Sequence, residues 1–115
     1  MNTKTTLRYS YGFISTALLL MAAVPAHAVD EAAALALLKD SKCLKCHSVD
    51  KKKDGPSYKE IAVKYKDKPE AVAKLTKHVT EPSKVEVDGV KEDHGSVKTR
   101  DPAKVSNLVQ WILSR

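Results

Sequence analysis

The sequence predicts a single all-α domain over residues 29–115, with one small strand pair inserted before its last helix. Three observations carry that prediction. Asp30, Ser57 and Asp101 each stand where a side-chain oxygen can cap a helix that follows. Two later segments repeat apolar residues at the 3.6-residue period of a half-buried helix. One stretch, Lys84 to Lys91, instead alternates about Asp88-Gly89, the dipeptide favoured in tight β-hairpins.

Ahead of the domain, residues 1–28 read as a secretory signal peptide. Lys4 and Arg8 form a basic start, an apolar run extends from about Phe13 to Val24, and Ala26 and Ala28 suit cleavage before Val29. The run is shorter than the roughly 20 residues that span a bilayer, so a retained anchor is the lesser alternative. No twin arginine precedes the run. Export of the unfolded chain to the periplasm is therefore expected, with any cofactor added afterwards.

The elements follow in order. Asp30 caps a helix from about Glu31 to Asp40, rich in the strong formers Ala and Leu. Near Ser41 the pattern breaks, and Asp50 to Pro56 reads as an exposed loop ending in a turn. Ser57 caps a short helix, Tyr58 to Tyr65, with Glu60 completing a capping box and Ile61 and Tyr65 on one side. Lys68-Pro69-Glu70 opens the next helix, with Pro69 at an early helical position. Ala71, Val72, Leu75 and Val79 form its apolar stripe, and Pro82 ends it. The hairpin comes next, then a loop through His94, Gly95 and Arg100. Asp101 and Pro102 start the last helix, in which Val105, Leu108, Val109 and Ile112 face one way.

Composition narrows the function. Without the leader the chain has 87 residues, and Tyr58, Tyr65 and Trp111 are its only aromatics. A domain this small is marginal without a cross-link, metal or cofactor. A large prosthetic group would supply the missing apolar bulk. Of 20 Lys and Arg, two lie in the leader, and against 14 acids the remainder leaves a net charge of +4. That balance argues against a nucleic-acid partner and for a lysine face steering toward an acidic protein.

The chemistry concentrates at Cys43-Leu44-Lys45-Cys46-His47. Structural zinc needs four ligands, and adjacent cysteine and histidine crowd a tetrahedral centre, even with His78 and His94 in reserve. A thioredoxin-like dithiol would need a βαβ framework that the helical pattern does not provide. The favoured reading is one covalent haem c, in which two thiols bond the vinyl groups and His47 binds the iron.

With CLKCH at 43–47, GPSYKEIAVKY at 55–65 and LVQWILS at 108–114, the chain resembles the short bacterial class I cytochromes c over nearly all of residues 29–115. The resemblance implies an all-α fold wrapped around one haem held by two thioethers, and a periplasmic one-electron carrier rather than an enzyme. It also implies that the Pro56 carbonyl accepts from the second nitrogen of His47, that Trp111 packs near the haem, and that Leu37 or Leu38 meets Leu108 and Ile112 where the first and last helices cross. Two positions depart from the pattern: Leu38, where an aromatic is often found, and the neighbourhood of Lys42, where glycine often sits.

A further departure concerns the iron. The family closes the sixth position with a methionine before the last helix, yet Met1 and Met21 are the only methionines here, and both lie in the leader. His94, 47 residues after His47, falls in the matching segment and is the expected replacement. A vacant site, a lysine, Asn107 or His78 are the alternatives. A second imidazole in place of a thioether favours ferric iron and lowers the reduction potential.

The expected partner is a periplasmic or membrane-bound redox protein with acidic groups, met by Lys42, Lys45 and Lys51–Lys53. No small-molecule substrate is expected. Three alternatives stand beside this reading. The chain could be the haem subunit of a larger dehydrogenase. With an open iron it could bind or sense a small gas ligand. A small peroxidase would use His94 with Glu92, Asp93 or Arg100.

Overall fold

The computed structural model describes residues 27–115, so the leader reading for residues 1–28 lies almost wholly outside the described residues. Four α-helices and a hairpin make up the domain: α1 (Glu31–Asp40), α2 (Tyr58–Tyr65), α3 (Ala71–Thr80), β1 (Ser83–Val87), β2 (Val90–His94) and α4 (Pro102–Leu113). A single 3₁₀ turn, Cys43–Lys45, lies between α1 and α2. Among the described residues no helix is long and apolar enough to cross a membrane.

The helix starts behave as their side chains dictate. Asp30 accepts from the Ala33 amide, and Asp101 accepts from that of Ala103 with Pro102 at the first helical position. At α2 the Ser57 hydroxyl and Glu60 carboxylate satisfy each other's backbone amides in a full capping box. One start differs from expectation. Pro69 lies in the turn before α3, which begins at Ala71 after Glu70. Asp67 takes a left-handed conformation there, so the chain turns once more before it coils.

The core is centred on α4. Val105, Leu108, Val109, Trp111 and Ile112 are buried and meet Ala34 and Leu38 from α1, Tyr58 from α2 and Leu75 from α3. Leu38, rather than the half-buried Leu37, is the α1 residue sunk into this cluster. On α2 the buried pair is Tyr58 and Ala62, with Ile61 and Tyr65 flanking it. Val72, read as part of the α3 stripe, is exposed, since Ala71 and Leu75 set the inward direction.

Hydrogen bonds fix the crossing of α1 and α4. The Asp30 amide donates to Asn107 Oδ1 at 2.8 Å, and Asn107 Nδ2 donates to the Asp30 carbonyl at 2.8 Å. Both ends of the Asn107 amide are thereby occupied, which removes it from the set of iron-ligand alternatives. Arg115 joins the same seam through a 3.2 Å ion pair with Glu31.

The hairpin is antiparallel and in register from Val87 opposite Val90 out to Ser83 opposite His94. Asp88 and Gly89 both have positive φ, at 49° and 80°, as a two-residue type I′ turn demands. His94 is therefore the last residue of β2 and not part of a loop. The segment after it is pinned twice: the Val97 amide donates to the Val79 carbonyl at 2.8 Å, and the Lys98 amide to Ser41 Oγ at 2.9 Å.

Candidate haem site

The CLKCH segment leaves α1 by a sharp reversal. Lys42 has φ 61° and ψ 18°, the left-handed geometry that glycine adopts without strain. After it the backbone closes on itself, with the Cys46 and His47 amides both donating to the Cys43 carbonyl. Lys53 reaches back to donate to the Leu44 carbonyl at 2.8 Å. Cys43 is half-buried and Cys46 exposed, and both are free thiols. Burial is the main cause that pushes the Cys43 thiol above its usual pKa.

His47 is held by three neighbours. Its Nδ1 lies 2.7 Å from the Pro56 carbonyl; a carbonyl only accepts, so Nδ1 carries the proton and Nε2 remains free to bind a metal. Gly55 packs so closely that a Cβ there would stand 2.7 Å from His47 Cε1 and 3.2 Å from the Cys46 carbonyl. Tyr58 stacks on the imidazole at 5.4 Å between ring centres and meets Trp111 edge-on at 5.3 Å. Burial drives the Tyr58 hydroxyl strongly upward in pKa, so it stays neutral.

Opposite His47 stands His94. Their ring centres are 6.1 Å apart with the planes at 72°. An ion bonded to two imidazoles at about 2 Å each separates the ring centres by roughly 6 Å. His78, at the last turn of α3, lies against His94 with 4.2 Å between ring centres and a tilt of 33°. Desolvation first lowers the pKa of both rings, followed by repulsion from His78 and His47 at His94 and from His47 and Lys64 at His78. Neutral imidazole is the form that ligates metal.

The site can be tested for fit to a haem. Among the described residues no three of His, Cys, Asp and Glu gather to hold a bare ion. Two imidazoles at metal-bridging separation, beside two cysteines not joined to each other, match instead a macrocycle that brings its own equatorial nitrogens. The Trp111 indole N–H is buried without an acceptor, a polar atom left for such a group to meet. The residues fit.

The CLKCH spacing brought out Cys43, Cys46 and His47, and the family resemblance brought out Pro56, Trp111 and His94. It missed Tyr58, whose part depends on its packing beneath His47. It set His78 aside because of its place in the chain, yet the end of α3 adjoins the end of β2. Glu92 and Asp93 lie exposed on β2, and Asp93 pairs with Lys84, so neither is reserved as an acid–base partner for His94.

Comparison with known proteins agrees with this geometry. The family model described as cytochrome c matches residues 31–115. Cytochrome c-551 of Pseudomonas denitrificans is 32% identical over 78 residues, covering 68% of this chain and 92% of that protein. The crystal structure of the class 1 cytochrome MtoD from Sideroxydans lithotrophicus ES-1 superposes with a TM-score of 0.72 at 49% identity, covering 76% of this chain and 97% of the other. Cytochrome c552 of Nitrosomonas europaea superposes with a TM-score of 0.56 at 30% identity, over 70% of this chain and 96% of that one. A small all-α fold with a terminal helix crossing, a CLKCH turn and a proline-anchored histidine thus has its relatives, and the chain belongs to the cytochrome c family as a small bacterial class I member that carries covalent haem c.

Proposed function

We propose that the protein is a periplasmic one-electron carrier whose single haem would be held covalently by Cys43 and Cys46, with His47 and His94 as the residues that would bind its iron. The family supplies the coarser part: haem-based electron transfer by a non-enzymatic carrier. The observation that carries the finer part is the 6.1 Å separation of the His47 and His94 rings, in a chain with no methionine from residue 27 onward. The haem, when bound, supplies a reversible ferric–ferrous couple.

The chain's own residues set the conditions of that couple. Pro56 accepts from His47 and holds its tautomer and direction. His94 supplies a strong nitrogen donor where a thioether would favour ferrous iron, so the potential lies below that of histidine–methionine relatives. The hairpin register and the Val97–Val79 bond hold His94 in place through the electron cycle, which keeps reorganisation small. Trp111 and Tyr58 close the floor beneath His47 against water. The exposed Lys42, Lys45, Lys51 and Lys52 flank the Cys46 side and favour a redox partner with acidic groups. In this reading residues 1–28 are the export leader and 29–115 the working domain.

Low-temperature EPR of the ferric protein beside its His94→Ala variant tests the ligand set. A low-spin bis-imidazole signal that turns high-spin in the variant is expected. High-spin iron in the unsubstituted protein would overturn the assignment and make small-gas binding the reading to pursue. The midpoint potential, taken on the same samples, should lie below that of a histidine–methionine carrier.

A further inference from the structure

Three buried side-chain polar atoms lack a hydrogen-bond partner among the described residues: Trp111 Nε1, Ser83 Oγ and His94 Nδ1. The last two belong to residues directly opposite each other in the hairpin register. Opposed residues of an antiparallel pair project from the same face, with Cβ atoms about 4.5–5.5 Å apart. Ser83 begins the half-buried face of β1, shared with Val85 and Val87, and His94 is the one residue of β2 that is not exposed. Two buried hydrogen-bonding atoms thus belong to opposed residues on one face of the hairpin, and neither makes a hydrogen bond there.

We propose that Ser83 is the positioning residue of His94, its Oγ accepting the Nδ1 proton of the imidazole. The inference rests on the reading of His94 as axial ligand and deepens it. Serine has three staggered χ1 positions, so turning its hydroxyl toward the ring needs no backbone movement. Other neighbours are poor acceptors for this proton. The His78 ring lies tilted at 33° against that of His94, with 4.2 Å between centres, and makes no hydrogen bond to Nδ1. The Gly95 backbone lies near enough to His94 to favour its protonated form by hydrogen bonding, but Nδ1 itself is left without a partner at hydrogen-bond geometry. His47 has the matching device on its own side, since its Nδ1 donates to the Pro56 carbonyl at 2.7 Å. Each imidazole would then be oriented from behind by an oxygen: a fixed backbone carbonyl for His47, a rotatable hydroxyl for His94. Donation from Nδ1 makes the ring a stronger base toward the metal and favours the ferric state.

The test compares the haem-loaded protein with Ser83→Ala, Ser83→Thr and His94→Ala, each checked for native helicity by circular dichroism. Midpoint potential, ferric EPR, and the rate at which carbon monoxide enters the ferrous protein are measured. Ser83→Ala should stay low-spin, shift the potential upward and admit carbon monoxide several-fold faster. Ser83→Thr, which keeps the hydroxyl, should restore both values. Unchanged potential and entry rate in Ser83→Ala would overturn the proposal while leaving His94 as ligand. Equal changes in the alanine and threonine variants would overturn it too, by showing that packing rather than the hydroxyl matters. A low-spin signal persisting in His94→Ala would instead remove the ligand reading itself, and the positioning role with it.

Discussion

Gly55 shows at the scale of one residue how little room the proximal histidine has. A methyl group there would press on His47 Cε1 at 2.7 Å and on the Cys46 carbonyl at 3.2 Å. Neither can retreat, because His47 is tied to Pro56 and the Cys46 carbonyl accepts from the Gly55 amide at 2.8 Å. Gly55→Ala should cost about 1–3 kcal/mol, as overpacking does elsewhere, read as a lower denaturation midpoint of the haem-loaded protein. Its EPR signal should broaden or shift, because the imidazole itself must turn. This crowding was legible only in part. CLKCH is contiguous, so its chemistry can be read from five letters, and Gly55-Pro56 stands out as a turn. The stacking of Tyr58 on His47, and the meeting of Ser83 with His94, join residues distant in sequence and carry no local signature.

Among the elements, the hairpin matters most, because it presents His94. Its turn requires positive φ at both Asp88 and Gly89, and at Gly89, with φ of 80°, a β-branched side chain is strained although the space around it is open. Gly89→Val should destabilise the turn by about 1–2 kcal/mol. Because the register runs unbroken to His94, the proposed ligand, carbon monoxide should enter the ferrous variant faster than the parent. The Asp-Gly pair made the hairpin legible, but its length was underestimated. Val90 to Asp93 are all exposed, so β2 has no apolar alternation to mark it, and the sequence left His94 in a loop. The helices were read more fully, since each cap is a local interaction. Pro69 was the exception, for a proline before a helix and one inside its first turn look alike without the backbone.

The whole molecule is built from a thin core. Among the described residues ten buried side chains form the apolar cluster, and Tyr58 and Trp111 are its only aromatics. The haem lends this core a large apolar surface, and a group that binds only the organised chain adds its binding energy to folding. Protein made without haem should therefore lose most of its far-UV helical signal and unfold without a cooperative transition, whereas the haem-loaded form melts sharply. A haem-free chain with the same helicity and cooperativity would show that α4 and its partners suffice alone. The scarcity of aromatics was plain in the sequence. That every other helix leans on α4 was not, because an apolar stripe does not say which neighbour it will meet.

The central place of α4 bears on the order in which the protein is made. Its partners in α1, α2 and α3 all precede it in the chain, so none of them can complete its packing until α4 has been synthesised and delivered. Until then the earlier segments lack the surface they pack on. The CLKCH thiols would meanwhile stay open to the machinery that attaches haem. A fold that closes last on α4 becomes rigid only once its cofactor and that helix are both in place.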